Sequence, residues 1–185
     1  MKKTLALLIV MLLAVTALCA AKSINMGMSI SECKDPVVVD FLNYLIDNGL
    51  MDNYFYYYTP GIDEVTGEYY VSFTPIGSYR QSDLVLYFSD ETVEFFWYGA
   101  EYINDDNYML MLYLINEFTN SYANWATFFI DDYYMGGLSS ASIMSLSGVE
   151  SYGEAIWSHM DLFITLSDMG FSDIEKSLED YLKNK

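Results

Sequence analysis

The most informative pattern of apolar and polar positions runs from Leu84 to Asp132. Leu84-Val85-Leu86-Tyr87-Phe88 and Thr92 to Tyr98 are strand-like runs on either side of a polar tip, Ser89-Asp90-Glu91, and this order predicts a β-hairpin. Successive strand side chains alternate between faces, so Thr92, Glu94, Phe96 and Tyr98 share one face while Val93, Phe95 and Trp97 share the other. Both faces are largely apolar beyond Glu94, so part of this strand is expected to be covered on both sides. Asn104-Asp105-Asp106-Asn107 then precedes Tyr108 to Ile115, a run with no polar residue. Asn104 or Asp105 is expected to cap that helix, with negative charge where its dipole favours it. A helix that is apolar all round is expected to be buried on more than one side. Trp125 to Ile130 reads as a returning strand and Asp131-Asp132 as a turn. Together these elements predict a small antiparallel sheet wrapped around one buried helix.

The flanking pattern extends that picture. Asp35-Pro36 opens a helix with an N-cap residue followed by proline at the first helical position. Val38, Phe41, Leu42 and Leu45 form its apolar stripe, and Asn48-Gly49 ends it. Tyr54 to Thr59 and Glu68 to Phe73 read as two strands, with Pro60-Gly61 through Gly67 as the loop between them. Residues 74–83 form another loop. Residues 133–149 are rich in Gly and Ser and predict at most one weak strand near Ile143 to Leu146. Ser147 with Glu150 suggests a capping box, and a helix to about Met169 carries Tyr152, Ile156, Met160 and Phe163 on one side. Gly170 is expected to stop it. Ser172 with Glu175 suggests a second capping box and a last helix striped by Ile174, Leu178, Tyr181 and Leu182. No internal repeat or dividing linker is visible.

The first 21 residues change the expected location. Lys2 and Lys3 precede an apolar run from Thr4 to Cys19, and Cys19-Ala20-Ala21 offers the small residues of a signal-peptidase site before Lys22. The remaining residues, 22–185, are read as one exported domain, in the periplasm or outside the cell. An uncleaved anchor and a lipoprotein are weaker alternatives, the latter because bulky Leu18 precedes Cys19. The chain has 8 Lys and Arg against 26 Asp and Glu, a net charge of −18. Cleavage removes two of those cations and no acid, which takes the charge to −20. Such a field repels nucleic-acid backbones and anionic membrane surfaces and favours basic partners, although acidic side chains also serve simply to keep an aromatic-rich protein soluble. Phe, Tyr and Trp make up 17% of the chain, which suits pleated strands and argues against disorder.

The residues that carry chemistry are few. His159 is the single histidine and lies on the apolar side of its helix, where a structural role is expected. Cys33 remains alone once Cys19 is removed, which rules out an intramolecular disulfide. There is no second His or Cys for a zinc site, no Gly-x-Ser-x-Gly elbow, and no phosphate-cradling glycine loop. Asp105-Asp106 and Asp131-Asp132 are explained by capping and turn formation, with a weak surface calcium site as the functional alternative. No cofactor or metal is expected. Tyr54-Phe55-Tyr56-Tyr57-Tyr58 is the oddest local feature. It suits a strand with rings on both faces, or an aromatic strip that grips an extended peptide or a sugar face.

The order of elements, the acidic tip Ser89-Asp90-Glu91, and above all Leu114-Ile115-Asn116-Glu117-Phe118 followed by Trp125 to Asp132, resembles the YbjN family, whose fold is similar to that of type III secretion chaperones. The resemblance covers roughly residues 35–170. It implies an α+β sandwich, often paired into dimers, with a binding or regulatory role and no catalytic residues. Two features depart from it. The family is largely cytoplasmic, whereas this chain opens on an export segment, and the helix over 172–183 looks additional.

The sequence therefore points to an α+β fold, an antiparallel sheet packed on helices in the manner of those chaperones. The expected function is a non-catalytic protein- or peptide-binding module of the bacterial envelope, with a basic partner and possible self-pairing into a homodimer. The surplus apolar residues offered as contacts are Tyr56, Tyr58, Phe96, Tyr98, Met109 and Met111. An exported hydrolase working through two carboxylates is the alternative.

Overall fold

A computed structural model describes residues 28–76, 83–102, 107–122, 125–131 and 137–184. The expected export segment, the expected helix cap at Asn104 or Asp105 and the Asp132 part of the expected turn lie outside the described residues. The fold class is α+β. Six strands form one antiparallel sheet in the order β1-β2-β3-β4-β6-β5, with β1 Phe55–Ile62, β2 Tyr69–Pro75, β3 Leu84–Phe88, β4 Thr92–Tyr102, β5 Thr127–Asp131 and β6 Gly137–Ser145. A 3₁₀ turn, Ile30–Glu32, leads into helix α1, Pro36–Asp47; α2 is Leu50–Tyr54, α3 Tyr108–Tyr122 and α4 Tyr152–Lys183.

Helix α1 forms where its start signals sit. The Asp35 carboxylate accepts bonds from the backbone N–H groups of Val37 and Val38 at 2.9 and 3.0 Å, which satisfies two donors left over by the first turn. Val38, Phe41, Leu42 and Leu45 are fully buried. Gly49 then adopts φ +67°, a left-handed conformation that only glycine holds without strain. The chain continues directly into the short helix α2, so β1 starts at Phe55. Pro60-Gly61, expected in a loop, lies within β1 instead. Proline is tolerated there because β1 is an edge strand and needs no donor at that position. The Pro60 carbonyl accepts a bond from Met28 N–H at 2.8 Å.

All the described helices cover one face of the sheet. Val71, Phe73, Leu84, Leu86, Phe88, Val93, Phe95 and Trp97 point inward and are buried. Phe41 of α1 meets Phe73 and Phe88 at 6.0 Å each, Phe163 of α4 meets Phe95 at 5.9 Å, and Phe171 meets Trp97 at 5.9 Å. Burying each such ring contributes about 2–3 kcal/mol, so this aromatic layer dominates the core.

Four expectations are corrected by this packing. The helix over 152–183 is continuous through Gly170, because Gly170 is a packing glycine. A Cβ there would fall 2.2 Å from Phe128 Cζ of β5. Neither suggested capping box starts a helix: α4 begins at Tyr152, after Ser151, and Ser147-Gly148 is a turn with Gly148 at φ +75°. The weak strand near 143–146 is in fact nine residues long and lies between β4 and β5 inside the sheet. Buried Ser140 donates to Ser167 of α4 at 2.9 Å, whereas the buried Ser139 hydroxyl has no hydrogen-bond partner among the described residues. Finally, α3 is not enclosed. Met111, Leu114 and Ile115 are buried, whereas Met109 is 75% and Tyr113 63% exposed, so the helix lies beside α4 and along β5 with one apolar side open.

Candidate binding face

With the helices on one side, the opposite sheet face stays open over the described residues. Its strands bring Tyr70, Tyr87, Glu94 and Ile143 into cross-strand register on β2, β3, β4 and β6. Tyr70 and Tyr87 rings lie 6.1 Å apart, and Tyr87 meets Phe96 edge-on at 5.8 Å. The start of this row is fixed by Gly61, over which the Tyr70 ring lies so closely that a Cβ would fall 2.5 Å from Tyr70 Cζ. Thr59, Ser72, Thr92, Thr127 and Ser145 surround the rings by strand alternation. The outcome is an aromatic and hydroxylic surface with Glu94 as a charge near its centre. Phe96 and Tyr98 are half-buried on it rather than fully covered.

The two sheet edges differ. On β5 the Thr119 hydroxyl accepts from Phe128 N–H at 3.1 Å and donates to Phe128 C=O at 3.4 Å, so α3 plugs that edge. On β1 the register slips between Phe55 and Tyr57, which leaves Tyr56 as a bulge residue. The bulge exposes two consecutive rings, Tyr56 at 64% and Tyr57 at 69%.

The six residues expected as contacts do not form one patch. Phe96 and Tyr98 lie on the outer sheet face, and Tyr56 is exposed at the β1 edge. Tyr58 turns to the helix side and stacks on Phe73 at 6.5 Å. Met109 is exposed on α3, but Met111 is 1% exposed and belongs to the core, where no partner reaches it. Residues two apart on a helix point about 200° from one another, so Met109 and Met111 could not have shared a face. Sequence reasoning missed the Tyr70–Tyr87 pairing. The available signal was the hairpin tip at 89–91, which sets Tyr87 opposite Glu94.

Other groups with chemical interest are tied to local structure. Ser142 Oγ and His159 Nε2 are 2.9 Å apart, within the reach of a nucleophile and its base. The His159 ring packs on Phe95 at 4.8 Å and Trp125 at 5.8 Å, and burial holds its pKa below the usual histidine value. Among the described residues no carboxylate bonds to that ring. Burial raises the Cys33 thiol pKa, and its sulfur lies 4.0 Å from Asp35 C=O. Two carboxylates move clearly, both downward. Glu32 is held by Ser29, and Asp63 by the backbone N–H groups of Thr66 and Val65. Asp35, Glu68, Asp90 and Glu91 line a cleft of about 570 Å³ beside the hairpin tip. Among the described residues no cluster of three His, Cys, Asp or Glu could hold a metal ion, and no helix is long and apolar enough to cross a membrane.

No family model matches the chain. No curated protein and no solved structure matches it either.

Proposed function

We propose that the protein is a non-catalytic binding module of the bacterial envelope that holds an extended, basic protein or peptide segment on its outer sheet face. The observation that carries this reading is the one-sided layering: every described helix packs on one face, and the other keeps a registered row of rings around Glu94. Rings of this kind supply contact area at low entropic cost, and hydroxyls beside them supply adaptable hydrogen bonds. The net charge of −18 selects cationic partners and speeds their approach. The basic start and apolar run over residues 1–21 support a location outside the cytoplasm. The resemblance to YbjN proteins, which rests above all on residues 114–118 and 125–132, agrees with a binding role.

The same reading assigns the open side of α3 to pairing with a second copy. Tyr108, Met109, Leu112 and Tyr113 are exposed there and carry no charge, as a contact between two acidic copies requires.

Site-specific photo-crosslinking in envelope extract tests the binding face. A photoreactive residue at position 143, on the outer face, is expected to capture a partner. The same residue at position 169, exposed on α4, is expected to capture none. Tyr70→Thr with Tyr87→Thr should abolish capture from 143. Equal capture from both positions, or capture indifferent to loss of the rings, would sink the proposal.

A further inference from the structure

A step in the sheet gives the outer face a concave place. Strand β5 begins at Thr127, opposite Ala141, while β6 continues to Ser145. Among the described residues β6 has no β5 partner beyond Thr127, and a depression of about 210 Å³ lies there, lined by Glu94, Phe96, Thr127, Ala141, Ser142 and Ile143. Phe96, Ala141 and Ile143 make its walls apolar, and Glu94 is its one charged residue. Glu94 is half-buried between apolar neighbours, and it makes no hydrogen bond or ion pair with any described residue. The described cations, Lys34, Lys176 and Lys183, stand on other elements.

We infer that this depression receives a lysine side chain from the partner segment, with its stem between Phe96 and Ile143 and its ammonium on Glu94. The inference rests on the reading of the outer face as the binding surface and names the residue that surface selects. Size argues for a single side chain, because small-molecule pockets run to roughly 300–1,000 Å³ and this one is smaller. Chemistry argues for lysine, which lays an apolar stem along a hydrophobic wall and keeps a compact charge at its tip. An apolar guest would cover Glu94 and leave it unpaired, and an anion would be repelled by it. The acidic field brings cations to the surface, and the depression gives one of them a seat.

The test is an NMR titration of the ¹⁵N-labelled protein at low salt with Nα-acetyl-lysine amide. The Nε-acetylated compound serves as a neutral probe with the same stem. Saturating shifts are expected at the amides of Glu94, Phe96, Ala141 and Ile143, with the neutral probe weaker by about threefold or more. Glu94→Gln should reduce lysine binding to the level of the neutral probe, and Ile143→Ser should weaken both probes. Glu91→Gln, in the cleft at the hairpin tip, should change neither. Shifts spread over the whole acidic surface, or shifts at the depression that survive Glu94→Gln, would overturn the inference. Photo-crosslinking from position 145, exposed on the outer face and outside the depression, separates the two levels. Partner capture indifferent to Glu94→Gln removes the lysine seat and leaves the binding face, whereas a localised lysine response without any captured partner removes the wider function alone.

Discussion

The carboxylate of Asp40, on α1, accepts a 2.9 Å hydrogen bond from the backbone N–H of Gly153 in the first turn of α4. Ser151, the residue in the N-cap position of α4, makes no side-chain capping bond. The longest helix of the protein is therefore capped by a side chain from another helix, 113 residues earlier in the chain. Gly153 permits the approach, since a Cβ there would fall 2.5 Å from Tyr44 Cβ. Asp40→Ala is expected to destabilise the fold by about 1 kcal/mol, the usual worth of a cap, and Ser151→Ala to leave it nearly unchanged. Urea unfolding distinguishes the two: a lower midpoint at constant slope for Asp40→Ala, and no shift for Ser151→Ala.

Gly170→Ala tests whether α4 is continuous because Gly170 packs. By helix propensity alone, alanine would stabilise by about 1 kcal/mol. The new Cβ would instead meet the Phe128 ring at 2.2 Å, and that ring is buried and held edge-on by Phe171 at 5.4 Å. Overpacking at such a site costs about 1–3 kcal/mol, so net destabilisation is expected. Phe128→Leu should cost stability alone yet recover part of it when combined with Gly170→Ala. Thermal unfolding of the two single variants and the double variant gives the coupling directly. A stabilised Gly170→Ala would mean that the helix does not pack on β5 as described.

These two contacts show where the chain was legible and where it was not. Local signals were read correctly. Asp35-Pro36 starts α1, Val38, Phe41, Leu42 and Leu45 are its buried stripe, and the hairpin over 84–98 carries Val93, Phe95 and Trp97 inward. What failed depended on distant partners. Gly170 reads as a helix stop until Phe128 arrives from β5, and Ser139-Ser140 read as loop until Ser167 satisfies Ser140. Tyr56 and Tyr58 share a face only in a regular strand, and the bulge between Phe55 and Tyr57 has no local signature. Of the candidate contacts, the alternation of β4 correctly grouped Phe96 and Tyr98, on the same face as Glu94. The flanking rings Tyr70 and Tyr87 needed the β2–β3 register.

His159 sets a pH dependence whose sign follows from its burial. Its folded pKa lies below that of an unfolded histidine, near 6.5, so below that pH the unfolded chain binds a proton that the folded chain resists. The groups facing the ring are the Ser142 hydroxyl and the Phe95 and Trp125 rings, and none supplies a compensating negative charge. Stability from this site is complete above about pH 6.5 and declines as the pH falls toward the folded pKa. His159→Gln is expected to flatten that part of the profile. The check is the difference in unfolding midpoint between the two proteins from pH 5 to 8, where most carboxylates stay ionised in both. A difference independent of pH would show that the imidazole remains solvated.

The open side of α3 leads to the last prediction. Tyr108, Met109, Leu112 and Tyr113 are 41%, 75%, 39% and 63% exposed, and they adjoin one another at helical spacing. A solvated helix would place charge at such positions. With roughly 200 Å² per large side chain, these exposures offer about 400 Å² per copy, half of what a standard interface buries on each side. The neutral stripe is also where two acidic copies repel one another least. Light scattering across a dilution series is expected to show a dimer that dissociates on dilution. Met109→Glu with Leu112→Glu should yield a monomer of unchanged thermal stability, because neither side chain belongs to the core. A wild-type monomer at every concentration would rule out pairing through α3. Dimerisation that persists in the double variant would move the interface elsewhere, with the Tyr56–Tyr57 edge of β1 as the next surface to test.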